Sequence, residues 1–142
     1  PERTYPLPSR EDERLDAVRR YGILDTPPEP EFDQVARLAA EMLDAPVALI
    51  SLVDDDRQFL KARIGLDASE TPRDVSFCAH AITGPDEVMV VPDASADPRF
   101  AENALVTGEP GIRFYAGAPL RDPRGHGLGA LCVIDTKPRP PL

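Results

Sequence analysis

The side chains with the most reactive chemistry in this 142-residue sequence are two cysteines and two histidines: Cys78, His80, His126 and Cys132. Cys78 and His80 lie together in Ser76-Phe-Cys-Ala-His-Ala81, directly after Phe77, while Cys132 sits between Leu131 and Val133. A thiol is a nucleophile and metal ligand as its thiolate, and two thiols can also share a disulfide. Zinc would need all four residues, but Cys-x-His combined with His-x5-Cys is not a usual ligand spacing, so no metal site is assigned. A disulfide that opens and closes with redox state requires the Cys78 segment to meet the Cys132 strand. The plainer alternative is a small buried thiol at each position, with His80 fixing its segment by hydrogen bonding.

A second set of candidates is polar and aromatic: Asp93, Asp97, Arg99, Phe100, Arg113 and Tyr115. Arginine offers forked donors that match carboxylate or phosphate, and tyrosine offers an aromatic wall with a polar tip. Together they would suit a small anionic or polar ligand. Each also has a structural use, since Asp97-Pro98 can open a turn and Arg99 can pair with Asp93 or Asp97. No nucleophile–base pair or metal set is apparent, so binding is expected rather than turnover. The chain carries 25 acids against 16 bases, a formal charge of −9. That field repels a phosphate backbone, so nucleic acid is not an expected partner.

These residues need elements to hold them. With Ser9 and Asp12 as a capping pair, a helix is expected over residues 9–22, its acidic first turn and Arg19-Arg20 end matching the helix dipole. Its apolar stripe, Leu15 and Val18 with Tyr21, is narrow, and predicts light packing or contact with a second copy. Pro30 suits the first turn of a second helix, in which Phe32, Val35, Ala36, Ala39, Met42 and Leu43 recur at helical spacing. Val47–Val53 is apolar on both faces, as a doubly covered strand should be. After Asp54-Asp55-Asp56, residues 59–64 alternate as an antiparallel partner whose Phe59, Lys61 and Arg63 face is the wetter one. A helical piece is expected around Ser76–Ile82, a strand over Val88–Val91 and a helical turn near Pro98–Asn103. Ile112–Leu120 and Leu128–Asp135 read as a second hairpin. Residues 136–142 read as the start of a C-terminal linker.

Two helices can cover one sheet face, leaving the other to the two long connections. Connections of that length are usually binding loops or lids, so a pocket is expected beneath them. Size and composition fit a single domain over residues 1–142, with 42% hydrophobic and 29% charged residues. Two cysteines and no opening signal-peptide pattern lead to a cytoplasmic expectation.

Several segments carry a resemblance: Tyr21-Gly-Ile-Leu-Asp-Thr-Pro-Pro-Glu-Pro-Glu-Phe-Asp33, Pro46-Val-Ala-Leu-Ile-Ser-Leu-Val-Asp54 and Arg73-Asp-Val-Ser-Phe-Cys-Ala-His-Ala-Ile82. Val91-Pro-Asp-Ala94, Asp97-Pro-Arg-Phe100, Ile112-Arg-Phe-Tyr-Ala-Gly-Ala-Pro-Leu120 and Gly129-Ala-Leu-Cys-Val-Ile-Asp135 follow in order. The chain resembles the GAF family, in the form found ahead of bacterial histidine kinases and diguanylate cyclases. The resemblance implies an α+β fold: an antiparallel sheet of five or six strands, order near 2-1-5-4-3, with helices on one face and a lidded pocket on the other.

By that resemblance the domain is a non-catalytic sensor that binds a small ligand and relays to an output domain in the same full-length chain. It is expected to be a homodimer without direct membrane contact. The residues expected at the ligand are Phe77, Cys78, His80, Asp93, Arg99, Phe100, Arg113, Tyr115 and Cys132; no cofactor is assigned. A dimerising relay module without ligand is the alternative, followed by a thiol-based redox sensor or reductase. Thioether attachment of a bilin, known in the family, typically has histidine directly after cysteine, whereas Ala79 intervenes here. The family's methionine sulfoxide reductases have a different cysteine pattern around both thiols.

Overall fold

The computed structural model describes residues 5–84 and 88–140. Its elements are α1 (Glu11–Arg20), α2 (Pro30–Met42), β1 (Val47–Val53), β2 (Arg57–Ile64), β3 (Glu70–Pro72), α3 (Cys78–Ala81), β4 (Met89–Val91), α4 (Ala104–Thr107), β5 (Phe114–Arg121) and β6 (Gly127–Asp135). Single 3-10 turns occupy Arg73–Val75 and Ala94–Ala96. All six strands form one sheet in the order β3-β2-β1-β6-β5-β4, each pair antiparallel. Without the three-residue edge strand β3, this is the expected 2-1-5-4-3 order.

Side-chain alternation separates two layers. Ala48, Ile50, Ala62, Phe114, Ala116 and Val133 pack with Ala36 and Ala40 of α2. Leu49, Val53, Leu60, Tyr115, Cys132 and Ile134 pack instead under Phe77, Cys78, Ile82, Phe100, Val106 and Ile112 of the connections. Residues Ala48–Val53 of β1 are all buried, as expected for a strand covered on both sides. Gly129 allows β6 its close approach to β1, because a Cβ there would overlap the Ser51 carbonyl.

Three local expectations are corrected. First, Ser9 does not cap α1; Arg10 occupies the cap position at φ 61 with no side-chain cap bond. Second, α1 does not pack lightly. Leu15, Ala17 and Val18 are 7%, 1% and 1% exposed, and the latter two cluster with Leu52, Phe59 and Leu128. Arg14 is fully buried and donates to the carbonyls of Val53 (2.7 Å) and Gly127 (3.2 Å) and to Glu11 (2.7 Å). A buried arginine therefore anchors the helix. Third, β2 is not wet on the Lys61 side. Lys61 is 1% exposed, paired with Glu29 at 2.6 Å and donating to Thr26 Oγ1 and the Pro27 carbonyl. The proline-rich turn before α2 folds over it.

Two further differences are smaller. The helical turn expected at Pro98–Asn103 is a single turn closed by the Ala101 amide on the Asp97 carbonyl at 2.8 Å and does not extend into a helix; α4 begins after Asn103, whose side chain accepts from the Leu105 amide. The segment 136–140 is fastened: Arg139 pairs with Asp135 at 2.7 Å and donates to the carbonyls of Leu43 and Asp44. The last two residues of the expected linker, and residues 85–87 before β4, lie outside the described residues.

Candidate functional site

Between the sheet and the connections lies a cavity of about 140 Å³. Its floor is Val47 and Leu49 of β1, Tyr115 of β5, and Cys132 and Ile134 of β6. Its roof comes from Phe77, Cys78, Val75, Leu66, Leu105 and Ile112, and exposed Ala68 and Pro110 border its mouth. The polar lining groups are Gln58, Thr71, Cys78, Tyr115 and Cys132. Gln58 is already engaged: it accepts from Ser76 Oγ at 2.5 Å and donates to Thr71 Oγ1 at 3.1 Å. Ser76 Oγ in turn accepts from the Ala79 amide at 3.1 Å. This chain ties β2, β3 and the start of α3 together and leaves the cavity walls largely hydrocarbon.

The roof is held from above by aromatic packing. Phe77 stacks on Phe100 with centroids 4.1 Å apart and planes 7° from parallel, and Phe77 lies 5.2 Å from the Tyr115 ring. His80 meets the Phe100 ring edge-on at 4.7 Å. Burial holds the His80 imidazole below its ordinary acidity range, so it is a neutral packing group near pH 7. Asn103 Nδ2 donates to the Val75 carbonyl at 3.2 Å, which joins the two long connections.

At the inner end of the cavity three polar side chains converge. Cys78 Sγ lies 3.1 Å from Tyr115 Oη and 4.0 Å from Cys132 Sγ. Glycine makes this possible. Gly117 pairs with Cys132 across β5–β6, and a Cβ at Gly117 would overlap the Tyr115 hydroxyl, so the Tyr115 ring lies across the bare glycine. The Cys132 thiol beside Cys78 is the largest influence on it and, with the hydroxyls of Ser51 and Tyr115, lowers its pKa against the opposing effect of burial. Contact with Cys78 and burial raise Cys132, and burial raises Tyr115. Cys78 is the more acidic thiol of the pair.

The nine residues singled out from sequence therefore divide. Phe77, Cys78, Tyr115 and Cys132 line the cavity, and Phe100 and His80 support its roof from behind. Asp93, Arg99 and Arg113 do not line it. Asp93 caps the Ala94–Ala96 turn by accepting from the Ser95 amide. Arg99 is paired with Asp97 at 2.8 Å on the surface. Arg113 donates to the carbonyls of Val106 and Ile112. Both guanidiniums are engaged within the chain, Arg99 by the Asp97 carboxylate and Arg113 by backbone carbonyls, and neither reaches this cavity. Sequence reasoning missed Leu49, Ile134, Leu105 and Ile112. The signal available was period-two alternation, which puts Leu49 on the face opposite Ala48 and Ile50. Among the described residues no three His, Cys, Asp or Glu side chains converge as metal ligands.

The GAF domain family model matches residues 27–142. The chain belongs to the GAF domain family. A cyclic di-GMP phosphodiesterase of Pseudomonas aeruginosa is 48% identical over 139 residues, which are 98% of this chain and 24% of that protein. This GAF domain thus spans about a quarter of the relative's length. Among solved structures, the GAF domain of an Acinetobacter phosphoenolpyruvate-protein phosphotransferase superposes with a TM-score of 0.58 at 21% identity, covering 89% of this chain and 79% of that one. A free methionine-R-sulfoxide reductase from Neisseria meningitidis superposes with 0.60 at 20% identity, covering 89% and 74%. These structural likenesses establish the fold.

Proposed function

We propose that this GAF domain is a non-catalytic sensor whose lidded cavity takes a small, uncharged, apolar or aromatic molecule. Its occupancy is relayed to an output domain of a larger bacterial signalling protein. The observation that carries this is the cavity's size and lining: about 140 Å³, walled mainly by aliphatic and aromatic side chains, with its amide already hydrogen-bonded. An apolar cavity of about 150 Å³ stays dry and accepts guests the size of benzene. A carboxylate or phosphate would be buried there without a cation, at a cost of several kcal/mol. The ligand class thus differs from the anionic one that Arg99 and Arg113 suggested.

The output reading rests on the 48% identical relative, of which a GAF domain like this one is a minor part. It supports a place in cyclic di-GMP turnover for the longer protein. No helix among the described residues is long and apolar enough to cross a membrane. A non-catalytic role is supported by the surroundings of Cys78: its polar neighbours are a tyrosine, a serine and a second thiol, and His80 faces Phe100. Leu15 and Val18 are buried in their own chain and offer no surface to a second copy. A second copy would instead meet Val35, Leu38 and Met42, which are 46%, 56% and 75% exposed on one side of α2. Sedimentation of wild type against Leu38→Glu tests that surface.

The deciding experiment for the ligand is native mass spectrometry of freshly purified protein, paired with a thermal-shift screen of uncharged aromatics against carboxylates and phosphates of equal size. Stabilisation by uncharged compounds alone supports the reading. Stabilisation by the anions instead overturns it.

A further inference from the structure

The paired thiols at the inner end of the cavity line its wall, but a ligand of the proposed class needs no chemistry from them. Cys78 comes from the roof and Cys132 from the floor, 54 positions apart in sequence, with their sulfurs 4.0 Å apart. Both are free, and both line a cavity whose mouth is bordered by exposed residues. A small molecule entering that cavity reaches both sulfurs. Closing to the ~2.05 Å of a disulfide needs a movement of about 2 Å, on the scale of a side-chain rotation plus a small shift of the four-residue α3.

We propose that Cys78 and Cys132 are a peroxide-reactive pair, oxidised to an intramolecular disulfide by hydrogen peroxide or a small organic hydroperoxide that enters the cavity. In the first step the Cys78 thiolate attacks one peroxide oxygen; an S–O bond forms, the O–O bond breaks, and water or alcohol leaves with the proton from the thiol. Cys78 is then a sulfenic acid. In the second step the Cys132 sulfur attacks Cys78 sulfur; the S–S bond forms, the S–O bond breaks, and the hydroxyl leaves as water with the Cys132 proton. Two thiols and one peroxide become one disulfide, one water or alcohol, and one water. Tyr115 Oη, 3.1 Å from Cys78 Sγ, is placed to hydrogen-bond the thiolate before attack. The lowered acidity range of Cys78 and the raised one of Cys132 fit attacking and resolving roles in that order. The product staples roof to floor, so redox state would set whether the roof can lift. The chemistry is stoichiometric, with reduction by an external dithiol, and does not depend on the identity of any ligand.

The test uses reduced wild-type protein treated with hydrogen peroxide, then titrated for thiols in denaturant and weighed by intact mass spectrometry. The expected result is loss of both thiols in a monomeric product lighter by two hydrogens and restored by dithiothreitol. Its melting temperature should rise by roughly 5–15 °C. Cys132→Ala should stop one oxygen heavier, at a sulfenic acid captured by dimedone on Cys78. Cys78→Ser should leave Cys132 unoxidised under the same exposure. Two intact thiols in wild type, an intermolecular product, oxidation past sulfenic acid without a disulfide, or faster reaction at Cys132 would each overturn the proposal.

Discussion

Filling the cavity should abolish ligand response without unfolding the domain. Val47 is the residue to enlarge: it opens β1, is half-buried, lines the cavity and sits opposite Ile134 of β6. In Val47→Phe the added ring has the cavity to occupy. At ~24 cal/mol per Å³, a 140 Å³ void corresponds to about 3.4 kcal/mol of forgone packing, the ceiling for complete filling. One ring fills only part of it, and misfit in a packed interior costs about 1–3 kcal/mol. The unliganded variant should therefore stay within about 1–2 kcal/mol of wild type. Unfolding entropy for 142 residues is about 0.3 kcal/mol per kelvin, so each kcal/mol moves the melting temperature by roughly 3 °C. A ligand at 100 times its dissociation constant stabilises wild type by about 2.7 kcal/mol, or roughly 9 °C. Thermal denaturation with and without a shifting aromatic should show that rise in wild type and less than a quarter of it in Val47→Phe. An undiminished rise in the variant would place the ligand elsewhere and refute the assignment of this cavity.

Arg113→Ala should lower stability by about 1–3 kcal/mol through the loss of two charged-donor bonds to loop carbonyls, while leaving the ligand-induced shift intact; a variant that keeps its stability and loses the shift would return Arg113 to the site. Gly117→Ala should cost about 1–3 kcal/mol by displacing the Tyr115 ring, whereas Tyr115→Phe should cost no more than about 1 kcal/mol, as urea denaturation of both variants would reveal. Acid should weaken the domain partly through Glu11. Burial raises its pKa, but hydrogen bonds from Arg14 and Arg73 outweigh that and leave it below 4.5. A carboxyl with a lowered folded-state pKa contributes stability present above its unfolded value and lost as pH falls through the folded one. Glu11→Gln should therefore flatten the decline of the denaturation midpoint between about pH 5 and pH 3; an unchanged decline would remove Glu11 from the account.

Much of the architecture was legible because it is encoded locally. Val47–Val53 is apolar at every position but Ser51, so both its faces had to be covered, and period-two alternation then sorts Leu49 from Ala48 and Ile50. Pro30 and the apolar spacing after it define α2 for the same reason. Phe77, Cys78, Tyr115 and Cys132, which line the cavity, stood out by their chemistry and position in the connections or strands. What tertiary structure alone decided is where long, flexible charged side chains end. Arg14, Lys61 and Arg113 each reach backbone carbonyls or a carboxylate supplied by segments distant in sequence or set by the loop path. Helical or strand spacing describes where a Cβ points, and a guanidinium several bonds further out answers to whatever unsatisfied carbonyl lies within reach. The distance between Cys78 and Cys132 is likewise a property of pairing. It depends on α3 settling over the β5–β6 ladder and on Gly117 leaving room for the Tyr115 ring, and neither can be read from a spacing of 54 residues.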